Sequence, residues 1–202
     1  MKQTIIEQAF KEFAQYGFKS FTMDDLANKL GMSKKTLYEY FPSKNDLVEN
    51  CLEFALDMTC RKVDFFTEGN GSIIENVFDN QRNIQNTFMI SSARPIWELQ
   101  KYYSKLFEQM QDEFIQADYR FVEKIFEKGK KEGLVREDIN LEFYKRFYSN
   151  VQRLRSVYNA FPETEFSFWE TIYTTTEYLF RVIVNEKGYQ ELERVLMNYK
   201  NK

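Results

Sequence analysis

The run Thr22-Met23-Asp24-Asp25-Leu26-Ala27-Asn28-Lys29-Leu30-Gly31-Met32-Ser33-Lys34-Lys35-Thr36-Leu37-Tyr38-Glu39-Tyr40-Phe41-Pro42-Ser43-Lys44 holds three helix starts in succession. Thr22 precedes Asp25 by three residues, Ser43 precedes Asp46 by three, and Ser33 opens the segment between them. A hydroxyl at such a position accepts a hydrogen bond from a backbone N–H that the first helical turn leaves unpaired, and an acid three residues on returns the bond. Gly31 ends the first of these segments and Pro42 closes the second. Leu26, Ala27 and Leu30 on one side and Leu37 and Phe41 on the other supply the inner faces. Two short helices, 22–30 and 33–40, joined at Gly31-Met32 have the dimensions of a helix-turn-helix.

Outward from this unit the pattern remains helical. Ile6, Phe10, Phe13 and Ala14 recur at three- and four-residue spacing and predict a helix over 3–16, ended by Gly17. A long stripe from Val48 to Phe66 runs into the break Glu68-Gly69-Asn70-Gly71. Beyond it, periodic segments predict helices over 72–91, from Pro95, from Phe107 to an end between Gly129 and Gly133, over 141–159 and over 166–185, with a weaker one over 189–199. The expectation is an all-α chain of nine or ten helices. Residues 1–47 form a helix-turn-helix DNA-binding domain, and 48–202 a helical regulatory and dimerisation domain.

Composition narrows the function. The 202 residues carry 28 Lys+Arg against 31 Asp+Glu, a net charge of −3, and no histidine. Without histidine, Ser-His-Asp and Cys-His catalysis and the usual zinc sites are excluded. No catalytic residue, metal site or cofactor is assigned, and the chain is expected not to be an enzyme. Cys51 and Cys60 are nine residues apart, on opposite sides of one helix, so they do not pair; a reduced, cytoplasmic protein is expected. Lys2, Glu7, Lys11 and Glu12 break up any apolar run at the start, and no stretch has the length of a membrane span.

The acidic whole argues against nucleic acid, but the charge is unevenly placed. Residues 1–47 hold seven lysines against six acids, and those acids leave the turn and the start of the second short helix free. There Lys34, Lys35 and Thr36 stand where a recognition helix meets base edges: lysine donates to guanine, and the threonine methyl packs on thymine. Tyr38 and Tyr40, one turn further on, share the outward side with hydroxyls able to reach phosphates. Lys44 and Thr22 sit at helix starts that favour anions. A solvated lysine face is the competing reading of the same spacing.

The continuous run from Gly17 to Leu47 resembles the signature of TetR-family transcriptional regulators, most specifically in Thr22 before Leu26-Ala27, Leu30-Gly31-Met32-Ser33, and Leu37-Tyr38-Glu39-Tyr40-Phe41-Pro42-Ser43-Lys44. The resemblance implies that Thr22, Tyr38, Tyr40 and Lys44 touch phosphates and that Lys34, Lys35 and Thr36 face bases. Lys35 departs from the small residue frequent at that place. Asp24 stands where some members carry a base-reaching cation. The implied protein is a ligand-responsive regulator, a repressor in the first reading, binding a palindromic double-stranded DNA operator as a homodimer. A transcriptional activator or a helical interaction module built on the same fold is the alternative.

Two further expectations concern residues 48–202. The helices over 141–159 and 166–185 are apolar on more than one side and so need two partners. They are expected to form the dimer interface through Phe143, Phe147, Val151, Leu154 and Tyr158 of the first and Trp169, Ile172, Tyr173, Thr176, Leu179, Phe180 and Ile183 of the second. The resemblance also implies a ligand cavity. Phe78, Phe88, Trp97, Tyr102, Tyr103, Phe107, Met110 and Phe114 are its expected lining, suited to an apolar or aromatic small-molecule effector, although core packing explains the same residues.

Overall fold

The structure, a computed structural model, describes residues 1–68, 70–88, 94–154, 157 and 160–200, the side chains of 59–68, 86–88 and 199–200 apart. The described residues form ten helices: α1 (Lys2–Tyr16), α2 (Met23–Lys29), α3 (Lys34–Tyr40), α4 (Lys44–Glu68), α5 (Ile73–Phe88), α6 (Arg94–Tyr102), α7 (Ser104–Lys131), α8 (Leu141–Leu154), α9 (Phe168–Ile183) and α10 (Glu186–Lys200). The fold is all-α, as the sequence predicts. The one extended contact among the described residues is an antiparallel bridge between Val135 and Val184.

The helix starts follow the local chemistry. Thr22 Oγ1 accepts from the Asp25 N–H at 3.2 Å while Asp25 Oδ2 accepts from the Thr22 N–H at 2.9 Å, a closed capping box. Ser33 Oγ accepts from the Thr36 N–H, and Ser43 Oγ from the Asp46 N–H. Ser167 and Glu170 repeat the box at α9. The last helix begins at Glu186, earlier than the pattern suggested. Gly188 lies in the first turn, its N–H donating to Asn185 Oδ1 at 3.0 Å. Its missing side chain is required by packing, because an added Cβ would overlap the Leu134 carbonyl oxygen.

Two apolar clusters form the interior. One joins α1, α2 and α3 through Ile5, Phe13, Leu26, Leu37 and Phe41, and takes in Leu99 of α6 and Met110 of α7. It also runs on through Val48, Cys51 and Leu52 of α4, past the boundary predicted at 47/48. The other joins α5, the end of α7, α9 and α10 through Ile74, Phe78, Val122, Leu179, Ile183 and Leu192. Within the first cluster α1 packs against α6 and α4 against α7.

Candidate nucleic-acid interface and effector cavity

The outer face of the helix-turn-helix is polar and cationic. Lys35 is exposed, and so are Tyr38 and Tyr40, which point away from the core that Leu37 enters. Lys34 is 58% exposed and reaches back across the turn to Asp24, Nζ to Oδ2 at 2.6 Å. That hydrogen bond with Asp24 holds the Lys34 ammonium above its ordinary range. Spacing did not reveal this pair, because ten residues and a turn separate its members. Thr36 Oγ1 lies 2.8 Å from Ser33 Oγ, so its hydroxyl is turned toward the cap.

The two residues placed at helix starts are already engaged. The Thr22 hydroxyl donates to Asp25 Oδ2 at 2.6 Å while it caps α2, and this bond depresses the Asp25 carboxyl below its usual value. Lys44 is partly buried, its Nζ donating to the Phe21 carbonyl at 2.6 Å. Burial lowers the Lys44 ammonium below its ordinary range, opposed by Glu98 and Asp25. Lys44 thus ties the start of α4 to the residue before Thr22.

A buried carboxylate joins α6 to this unit. Glu98 is 2% exposed, and its Oε2 accepts from the Lys19 backbone N–H at 2.9 Å. Its Oε1 accepts from Arg94 Nε at 2.8 Å, and Arg94 Nη2 reaches Ser20 Oγ at 3.2 Å. The α1–α2 turn makes room for it: Gly17 has φ +83°, and a Cβ there would stand 2.5 Å from Glu98 Oε2. Gly17 is readable from sequence as a helix end, but the acid it accommodates lies 81 positions away, beyond the reach of spacing.

The other side of α6 faces a cavity of about 840 Å³. Phe10, Ala14 and Phe18 from α1 and the following turn line it, with Leu52 and Ala55 of α4. Pro95, Ile96 and Leu99 of α6 and Phe107 and Phe114 of α7 complete the apolar wall. Ser149, Gln152 and Arg153 of α8, with Gln111 and Asp118 of α7, make a polar side. Of the residues expected to line a ligand site, Phe107 and Phe114 are brought here. Phe78 lies in the second core cluster between the rings of Tyr173 and Phe180. Met110 is buried against the first cluster, Tyr103 packs beside Phe18, and Trp97 and Tyr102 meet edge to face, with Tyr102 exposed. The Phe88 side chain lies outside the described residues. The contributions of α1 and α8 were missed, because an amphipathic stripe does not say which distant helix it will meet.

The expected dimer residues divide by burial. Phe143 is 70% exposed, and Phe147 and Leu154 continue its row along α8. Val151 is partly buried, and Tyr158 lies outside the described residues. On α9 the expectation needs correction. Thr176, Leu179, Phe180 and Ile183 face the interior of this one chain, so the strong stripe of α9 marks its core side. Trp169 and Ile172 line a smaller cavity, and the Tyr173 hydroxyl donates to Gln85 Oε1 at 2.9 Å. The outward face of α9 carries Tyr178, 62% exposed, and Val182. Tyr144 of α8 is a core residue, its hydroxyl donating to the Leu179 carbonyl at 2.9 Å.

Residues 5–51 match the family model described as bacterial regulatory proteins, tetR family. Over 190 residues the chain is 28% identical to an uncharacterized HTH-type transcriptional regulator, YvaF of Bacillus subtilis strain 168, covering 93% of this chain and 97% of that protein. Over 101 residues it is 29% identical to the biofilm operon icaADBC HTH-type negative transcriptional regulator IcaR of Staphylococcus epidermidis, covering 46% of this chain and 55% of IcaR. Among solved structures, a gamma-butyrolactone receptor (ArpA-like protein) superposes with a TM-score of 0.61 at 14% identity, over 99% of this chain and 96% of that one. The last likeness is one of fold.

Proposed function

We propose that the chain, whose residues 5–51 match the tetR-family model, is a TetR-family transcriptional regulator and a homodimeric repressor whose hold on a palindromic operator is released by a small molecule. In this reading residues 1–47 bind DNA and 48–202 sense the effector and dimerise. The observation that carries it is the exposed row Lys34, Lys35, Tyr38 and Tyr40 on a helix capped by Ser33. Lys34, Lys35 and Thr36 read bases, and Tyr38 and Tyr40 hold phosphates. Thr22 and Lys44 position the start of α2, and their cap and backbone bonds exchange for phosphate contacts on DNA.

One such unit contacts few bases, so two are needed, related by a two-fold axis. The dimer face is the apolar surface of Phe143, Phe147 and Leu154 on α8 with Tyr178 and Val182 on α9, which a monomer would leave in water. Repression is supported by IcaR, which is named a negative regulator, and effector control by the cavity shared between α1 and α6. An occupant there presses on the helix whose opposite side carries Glu98, and so on the α1–α2 turn. It changes DNA affinity only to the degree that it prefers one arrangement of that turn over the other.

The test is a mobility shift on a DNA pool at several salt concentrations, with sedimentation of the free protein. Tyr38→Phe is expected to weaken binding to all sequences, Lys34→Ala to alter base preference, and Phe143→Glu to yield monomers with much weaker binding. A salt-independent, sequence-indifferent signal from a monomer would overturn the reading.

A further inference from the structure

The 840 Å³ cavity does not stand alone. A second chamber of about 290 Å³, between α5, α7, α8 and α9, shares Asp118, Gln152 and Phe168 in its wall with the first. Both are mostly apolar elsewhere: Phe10, Phe107 and Phe114 in the larger, and Ile84, Phe121 and Trp169 in the smaller. Asp118 and Gln152 are the polar residues common to both walls.

Three buried oxygens in these walls have no hydrogen-bond partner: Ser149 Oγ, Gln152 Oε1 and Gln81 Oε1. Ser149 is only 3% exposed, and Gln81 spends its amide N–H on Thr176 Oγ1 at 2.6 Å. An unpaired buried acceptor is destabilising, and an arriving donor removes that cost. Two of the three are amide carbonyls, which only accept, so the occupant must bring donors.

The charges argue for an occupant with none. Arg153 faces the large chamber beside Gln111, whose amide is assigned, from its surroundings, the orientation in which its oxygen accepts from Arg153 Nη2 at 2.7 Å. Asp118 stands in the shared wall, and exposed Glu108 at the rim. Charges of both signs stand in the walls, so an occupant of either sign that reaches its counter-charge at Arg153 or Asp118 is opposed by the other. A buried unpaired charge is far more costly than a buried hydroxyl that finds an acceptor.

We propose that the effector is an uncharged, predominantly hydrocarbon molecule bearing a hydroxyl group, its chain among the phenylalanines of α1 and α7 and its hydroxyl donating to Gln152 Oε1 beside Ser149. The inference rests on the effector-responsive reading above and names the chemistry of that same site.

Calorimetric titration of the purified full-length protein, freed of bound lipid, uses three probes of equal chain length: 1-dodecanol, dodecanoate and dodecylamine. Dodecanol is expected to bind tightest. Gln152→Leu and Ser149→Ala, the second a change too small to unfold α8, are each expected to weaken it about 3- to 10-fold. Tightest binding of dodecanoate, lost in Arg153→Met, would overturn the proposal in favour of an anionic ligand. Tightest binding of dodecylamine, or no binding of any probe, would overturn it as well. Adding each probe to a protein–DNA complex separates the two levels. Dodecanol that binds without releasing DNA contradicts the effector-responsive reading but not the site's chemistry. Release by dodecanoate alone contradicts the chemistry and leaves the reading standing.

Discussion

Glu98→Ala removes the carboxylate by which α6 grips the α1–α2 turn. Two interactions go with it. The bond from the Lys19 N–H to Oε2, 2.9 Å long and made to a charged acceptor, contributes about 1.5–3 kcal/mol. The pair with Arg94 counts for less, because the Arg94 side chain is 58% exposed and water screens it; about 0.5–1 kcal/mol is appropriate. The expected loss is about 2–4 kcal/mol, and for a chain of this length each kcal/mol lowers Tm by about 2–4 °C. A fall of about 4–16 °C by circular dichroism is predicted. Glu98→Gln keeps an acceptor for Lys19 but not the charge for Arg94, and is expected to fall between the two. Because the carboxylate also connects the cavity wall to the DNA-binding unit, Glu98→Ala is expected to blunt the response of DNA binding to any effector. A variant melting within 1 °C of the parent and responding normally would refute both the clamp and its place in signalling.

Other expectations follow from single contacts. Asp24→Ala frees Lys34 and removes a carboxylate from the DNA-facing side, so DNA binding should tighten and its salt dependence steepen by about one phosphate contact, read from a log–log salt titration. The Cys51 thiol is pushed up to about 12 by burial against an ordinary 9.0, so at pH 8 mass spectrometry after iodoacetamide should find it unlabelled in the folded protein and labelled in urea. The folded form holds this proton when the unfolded form has released it, so stability contributed by Cys51 is complete below pH 9 and declines as pH rises toward 12, measurable by urea melts of Cys51→Ala against the parent. Gly188→Ala drives a methyl into the Leu134 carbonyl and should cost about 1–3 kcal/mol in urea melts; an unchanged midpoint would place α10 elsewhere.

What was legible in the sequence was local. Thr22, Ser33 and Ser43 announce their helices because a cap is made within three residues, and Gly17 and Gly31 stop theirs at positive φ, where a side chain is strained. The outward placement of Tyr38 and Tyr40 follows from the inward placement of Leu37, a matter of helical period. Periodicity failed where it was asked which partner a face meets. Leu179 and Ile183 make a strong stripe on α9 because they enter the core, and the weaker row of Tyr178 and Val182 is left outside. Phe10 and Phe18 belong to the helix-turn-helix by sequence and to the cavity by packing. The Glu98 clamp and the Asp24–Lys34 pair depend on chain segments brought together only by the tertiary fold.

The central claim is that a dimer of this chain reads a two-fold DNA sequence through Lys34, Lys35 and Thr36. Selection of bound sequences from a random DNA pool by the purified protein, at moderate salt, tests it most directly. The account predicts an inverted repeat whose half-sites are read by the start of α3, and a changed half-site preference with Lys34→Ala. Recovery of no motif by a folded, effector-free dimer, or of the same motif by the Lys34→Ala variant, would contradict it.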